Sequence, residues 1–297
     1  MAITIHLGTY KTATTSIQRL LKEKKASLAP LGYDIYAGTF DRDYKLMEKF
    51  HDYLNDQLSR SDFLRHFEDL FLQGTNENKV ISEEMILGPL QKGPSLYGDN
   101  IIKFIAALDE LKVSYKIVIV TRRIDYLLES LYTHNIAVGF TKKSFDSFYE
   151  GLDFGQCHWS KVLNEFESGT YLNDLSVLPF EICMSDPGYY VEKIMAAMGL
   201  PSAEWGPLPR ENRSIGSKGY SVIRSLHDNK LLTDEDRKYL TKSAYKHFTK
   251  DKDSDSKVDF FGKYRRFITA YYSEDNERIA EKYFSDIPRK YYDRIFQ

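Results

Sequence analysis

The stretch His6-Leu7-Gly8-Thr9-Tyr10-Lys11-Thr12-Ala13-Thr14-Thr15-Ser16 decides how the rest of the chain is read, because it leaves an apolar strand and enters a helix with one lysine and several hydroxyls in the turn. Upstream, Ala2-Ile3-Thr4-Ile5 has the β-branched composition of a buried strand. Downstream, apolar positions at Ile17, Leu20 and Leu21 start a helical period expected to run from Thr15 to about Ala26. The turn therefore aims a helix N-terminus outward, where backbone N–H groups and the positive end of the helix dipole favour an anion. Lys11 adds a point charge, and Thr12, Thr14 and Thr15 add hydroxyl donors, so the segment reads as a phosphate cradle. It is not a Walker A loop, which needs glycine directly before the lysine where this chain has Tyr10. The plainer alternative is a strand-to-helix turn whose threonines cap the helix and whose lysine is solvated.

Outward from the cradle, the chain alternates strands and helices. Tyr33-Asp34-Ile35-Tyr36 reads as a short extended piece, residues 41 to 73 as one or two amphipathic helices, and Lys79-Val80-Ile81-Ser82 as a strand that delivers Glu83 and Glu84 to its end. A helix follows from Asp99 to Leu111, and Tyr115 to Thr121 is the clearest strand, continuous and β-branched as a central parallel strand should be. Helices are expected from Asp125 to Val138, Ser144 to Gly151 and Pro187 to Met198, with a further strand at Val177 to Glu181 and mostly helix beyond Ser217. This order implies a parallel sheet with helices on both faces, which binds ligands at the carboxyl ends of its strands.

The strand ending at Thr121 runs into Arg122-Arg123-Ile124-Asp125-Tyr126-Leu127-Leu128-Glu129-Ser130. Two arginines at a strand end suit an anion, since each hydrogen bond to a charged group contributes ~1.5–3 kcal/mol. Ser130 lies eight residues after Arg122, so a helix would turn it back toward the strand end. Alternatively, the arginines pair with Asp125 or Glu129 as a surface cluster; Arg123 in particular stays open between the two roles.

Both motifs resemble those of sulfotransferases that use 3′-phosphoadenosine 5′-phosphosulfate (PAPS). Lys11, Thr12, Thr14 and Thr15 fall in register on that family's K-[ST]-G-T-T phosphosulfate loop, with Ala13 in place of the usual glycine. Either the local φ is negative at Ala13 or the cradle is reshaped. Arg122 and Ser130 match the spacing of the family's 3′-phosphate site, in a form typical of its bacterial carbohydrate-modifying branch. The resemblance implies one P-loop-like α/β domain over residues 1–297, with a central parallel sheet, a nucleotide-binding core over about 1–200 and a helical C-terminal part over about 201–297. It implies transfer of a sulfonate group from PAPS to a hydroxyl of a carbohydrate or glycolipid. The nucleotide contacts would be Lys11, Thr12, Ala13, Thr14, Thr15 and Ser16, with Arg122 and Ser130, and no metal is expected. Lys11 and Glu83 would be catalytic, Glu83 as the base that takes the acceptor proton. Glu84 is the alternate; both acids could instead cap the next turn. His6 and His134 are the histidine alternatives for the base, although His6 reads as structural and His134 as lying on an outer or acceptor-facing helix surface. Weaker likenesses are Glu211-Asn212-Arg213-Ser214 and the aromatic helix Tyr271 to Phe284. The late R-K-G-x-x-G element of small-molecule relatives is missing, and Lys263, Arg265 and Arg266 are its candidate substitutes or a solvated helix face.

Composition narrows the alternatives. A formal net charge of −2 over 297 residues, with scattered basic residues, leaves no footprint for nucleic acid. Cys157 and Cys183 are too few for a disulfide framework or a zinc site and read as free thiols. No apolar run reaches membrane-spanning length and the first strand leaves no room for a signal peptide, so a soluble cytoplasmic protein is expected. The 22 tyrosines and 18 phenylalanines suit a core, or in part a sugar-stacking cleft. The charge-rich stretch 250–257 reads as a solvated loop or a flap over the site. A small-metabolite kinase and a non-catalytic nucleotide-binding module remain as alternatives, the first disfavoured by the missing Walker glycine.

Overall fold

The computed structural model describes residues 2–41, 46–72, 76–87, 97–202, 204–209, 215–248 and 259–296. Five strands, β1 (Ala2–Gly8), β2 (Tyr33–Ala37), β3 (Asn78–Ser82), β4 (Tyr115–Thr121) and β5 (Leu172–Pro179), form one sheet in the order β2-β3-β1-β4-β5. Every pairing is parallel. β1 and β4 occupy the middle, and Ile3, Ile5, Leu7 and Ile117 to Val120 are buried. Helices cover both faces, which is why these strands read as continuous apolar runs rather than alternating ones.

The helices are α1 (Thr14–Leu28), α2 (Leu46–Leu54), α3 (Arg60–Phe67), α4 (Tyr97–Glu110), α5 (Ile124–Ala137), α6 (Phe145–Tyr149), α7 (Trp159–Glu167), α8 (Glu181–Ser185), α9 (Pro187–Ala197), α10 (Ser217–Asp228), α11 (Asp234–Phe248), α12 (Arg265–Tyr271) and α13 (Ser273–Tyr283). From β1 the chain crosses toward β2 at one edge, and from β4 toward β5 at the other. The two exits diverge between neighbouring strands, so a crevice opens where β1 and β4 end. Gly8 pairs with Val120, which puts both ends at one level.

The α/β expectation holds, with boundary corrections that have physical causes. β5 begins at Leu172 rather than Val177, because its first half carries exposed polar residues and only Val177, Leu178 and Pro179 are buried. Glu181 is not part of that strand but opens α8. Helix α7 was not expected at all, although it buries Trp159, Val162, Leu163 and Phe166 at helical spacing.

The aromatic wealth goes largely to packing. Phe50, Tyr53, Phe63 and Phe104 interlock near α2, with the Tyr53 and Phe63 rings stacked at 5.3 Å. Tyr132, Phe145 and Phe260 form a second cluster with centroids 5.1 Å apart. No helix among the described residues is long and apolar enough to cross a membrane. Residues 211–214 and 250–257, singled out above, lie outside the described residues.

Candidate active site

The turn after β1 is drawn tight. Gly8 admits no side chain, since a Cβ there would fall 2.1 Å from Thr14 Oγ1. Two residues of the turn, Lys11 at φ +67° and Ala13 at φ +60°, are left-handed. That conformation costs a non-glycine residue about 1–2 kcal/mol. The open question at Ala13 is thereby answered: φ is positive, the backbone takes the glycine-like shape, and the alanine bears the strain.

Hydrogen bonds hold the turn from behind. Thr9 Oγ1 donates to Val120 O at 2.7 Å, and Thr12 Oγ1 to Thr9 O at 2.5 Å. Tyr190 on α9 donates its hydroxyl to Thr12 O at 2.9 Å. Arg122 Nη1 donates to Lys11 O at 2.7 Å. The Thr9, Lys11 and Thr12 carbonyls are thus engaged, and α1 starts from Ala13 with no side chain capping its N-terminus. Ser16 N–H is turned inward onto Ala13 O at 2.9 Å. Thr12 is buried and its hydroxyl proton is committed within the turn, so its contribution as a phosphate donor falls to its backbone. Thr14 is buried and Thr15 half-buried in the first turn of α1.

Two cations meet here without a carboxylate bridged to either among the described residues. Burial first and then Arg122 depress the Lys11 ammonium, to about 8, with Glu84 opposing both. Burial also depresses Arg122, against the pull of Glu181, Asp125 and Glu129. Its Nε is buried with no partner among the described residues, and its Cζ lies 5.0 Å from the Phe180 ring centroid. Trp159 Nε1 pins the Arg122 carbonyl at 2.8 Å. Two depressed cations side by side form a site short of negative charge.

Arg123, ambiguous in the sequence, is a structural residue. Its Nε and Nη2 fork onto Asp125 at 2.7 and 2.8 Å, and Nη1 reaches Arg294 O at 2.6 Å. Arg265 is not a spare positive charge, because it bridges Asp125, Glu129 and Asp259, the last two at 2.7 Å. Arg266 is exposed. Ser130 sits half-buried on α5, and its hydroxyl makes no hydrogen bond among the described residues.

The two acids after β3 part company. Glu83 N–H extends the sheet ladder onto His6 O at 2.9 Å, and its carboxylate lies beside Gly38, where an added Cβ would be 3.0 Å from Oε2. Glu84 instead lies in the field of Lys11. Burial raises its pKa, and a hydrogen bond with Thr14 and the Lys11 charge pull it back. The buried phenols of Tyr10 and Tyr97 share this neighbourhood: burial raises both, then Glu84 and Glu83 raise Tyr10, and Tyr10, Cys157 and Glu84 raise Tyr97. Of the two places open to His134, an outer or an acceptor-facing helix surface, the structure has it on the side of Lys11. It is half-buried and pushed down to about 4 by burial and then by Lys11, and its Nδ1 has no partner among the described residues. His6 is structural, wholly buried with Nδ1 2.8 Å from Ser82 Oγ.

The cradle, Arg122, Glu84 and His134 therefore converge on one crevice. Sequence reading missed Tyr190 and left the side of α5 that His134 faces open. Only the i, i+4 spacing of Ser130 and His134 signalled that both share one face of α5. No cluster of three or more metal-ligating side chains occurs among the described residues.

No family model and no curated protein sequence matches the chain. Among solved structures it is similar to a sulfotransferase from Alicyclobacillus acidocaldarius, with 13% identity and a TM-score of 0.44 over 82% of this chain and 98% of that one. It is also similar to the mouse sulfotransferase SULT7A1 complexed with PAP, with 13% identity and a TM-score of 0.40 over 98% of this chain and 88% of that one.

Proposed function

We propose that this chain is a sulfotransferase that moves the sulfuryl group of 3′-phosphoadenosine 5′-phosphosulfate to a hydroxyl of a carbohydrate or glycolipid acceptor. The observation that carries the reading is the bond from Arg122 to the Lys11 carbonyl, which joins the two nucleotide motifs across the β1–β4 crevice. A guanidinium whose buried Nε–H has no partner among the described residues, a lysine ammonium with no bridged carboxylate among them and an uncapped helix start together suit a ligand with several phosphate oxygens.

The nucleotide supplies an activated sulfuryl group on a phosphoanhydride. Lys11 takes up the negative charge that develops on the bridging oxygen as the sulfur–oxygen bond breaks, and the N–H groups at the start of α1 hold the 5′-phosphate. Arg122 and Ser130 hold the second, 3′-phosphate, and the discrimination against ADP rests on them. The acceptor hydroxyl gives its proton to a carboxylate as its oxygen bonds to sulfur. We assign that role to Glu84 rather than Glu83, because Glu84 is the acid coupled to Lys11 and its raised pKa moves it toward neutrality, where a base is effective.

Calorimetry with 3′-phosphoadenosine 5′-phosphate and with ADP tests the reading. Tight binding of the first and weak binding of the second are expected, and equal affinities would overturn it. Transfer is then read by mass spectrometry over a panel of oligosaccharide and glycolipid acceptors.

A further inference from the structure

Behind Arg122 the structure holds a second unsatisfied charge. Glu181 is wholly buried at the start of α8, one residue after the Phe180 ring on which the Arg122 guanidinium lies. The Phe180 N–H donates to Thr121 O at 2.8 Å, so the turn that follows β5 is fixed against the turn that follows β4. Glu181 Oε1 accepts the Arg123 N–H at 3.0 Å. Its Oε2 is buried with no partner among the described residues, and so is Arg122 Nε. A buried carboxylate oxygen and a buried guanidinium nitrogen, both without a partner among the described residues, each carry a desolvation cost that an opposite charge nearby offsets.

We propose that Glu181 is the positioning residue for Arg122, its buried carboxylate holding the guanidinium in the crevice in the orientation that meets an anion. A merely structural Glu181 would need no charge, since a glutamine oxygen accepts the Arg123 N–H equally well. The charge acts on the guanidiniums of Arg122 and Arg123, and Arg123 already forks onto Asp125, so Arg122 is the one left to be held. Among the acids acting on Arg122, Glu181 is the foremost, ahead of Asp125 and Glu129. Both of those are occupied by Arg265. The ligand-binding part of the proposal rests on the nucleotide reading above; the orientation of Arg122 does not.

The substitution Glu181→Gln separates the two. Simple electrostatics says that removing a negative charge near an anion site tightens binding, whereas loss of positioning weakens it. In the ligand-free protein, the Arg122 Nε–H signal, identified by its loss in Arg122→Ala, should exchange with solvent at least about tenfold faster in Glu181→Gln than in the parent. Equal exchange overturns the proposal whether or not any nucleotide binds. With 3′-phosphoadenosine 5′-phosphate as the probe, Glu181→Gln should bind about tenfold more weakly, and should have no further effect in an Arg122→Ala background. Unchanged or tighter binding overturns it. Failure of the parent protein to bind this nucleotide refutes the nucleotide reading instead, and the exchange measurement still decides the role of Glu181.

Discussion

Tyr190 and Thr12 are 178 residues apart in sequence, yet the Tyr190 hydroxyl donates to the Thr12 carbonyl at 2.9 Å in a fully buried contact. Helix α9, beyond the edge strand, thereby fixes the shape of a turn in the middle of the sheet. Tyr190→Phe should leave that carbonyl buried and unpaired, at a cost of about 1–3 kcal/mol. Denaturant unfolding measures the loss, and nucleotide affinity should drop with it; an unaltered midpoint would remove the tie from the account.

Ala13 holds a left-handed conformation with φ +60° and ψ +23°. Ala13→Gly should relieve this and stabilise the fold by roughly 0.5–1 kcal/mol, after the extra freedom glycine gives the unfolded chain is subtracted. The gain appears as a higher denaturation midpoint at unchanged slope.

The Lys11 ammonium, depressed to about 8 by burial and then by Arg122, is charged below that pH and neutral above it. If its charge serves the leaving phosphate, kcat/KM should fall as pH rises through about 8. In Arg122→Ala one depressing cause is gone and the falling limb should move upward. Lys11→Ala should abolish transfer, and Lys11→Arg, whose charge does not titrate in this range, should show no such limb in whatever activity remains.

Glu84→Gln should lower kcat by ~10²–10⁴ while leaving the affinity for 3′-phosphoadenosine 5′-phosphate nearly intact. Glu83→Gln, changed beside Gly38 rather than beside Lys11, should keep most of the turnover. Steady-state kinetics on the two variants decides between them, and the reverse ranking would return the base to Glu83.

The adjacent arginines should separate cleanly. Arg123 is only 5% exposed and forks onto Asp125, so Arg123→Ala should cost about 3 kcal/mol of stability. Arg122→Ala should instead act on nucleotide affinity. Thermal melting and calorimetry on both variants read the contrast.

Much of this was legible in the sequence, for reasons tied to particular residues. β1 and β4 are buried on both faces, so their composition alone marked them as central, and the residues directly after them fell at the crevice. β5 was half-legible because its exposed first half lacks apolar residues. The choice between Glu83 and Glu84 was not legible, since neighbours at a strand end point to different sides and only the packing of α1 shows which side holds Lys11. Nor was the fate of Arg265 or Tyr190, whose partners Asp125, Glu129 and Thr12 lie more than a hundred positions away.

The bridge made by Arg265 also bears on how the protein can be cut. Asp125 and Glu129 stand on the same helix as Ser130, and both act on Arg122. Glu129 further accepts the N–H groups of Phe260 and Phe261 at 3.1 and 3.3 Å. A fragment ending before residue 259 would retain every nucleotide contact proposed above, yet it would strip the cover from Glu129, leave Asp125 to Arg123 alone and turn that negative charge toward an incoming polyanion. The residues from 259 onward therefore serve as electrical insulation for a site built from the first half of the chain.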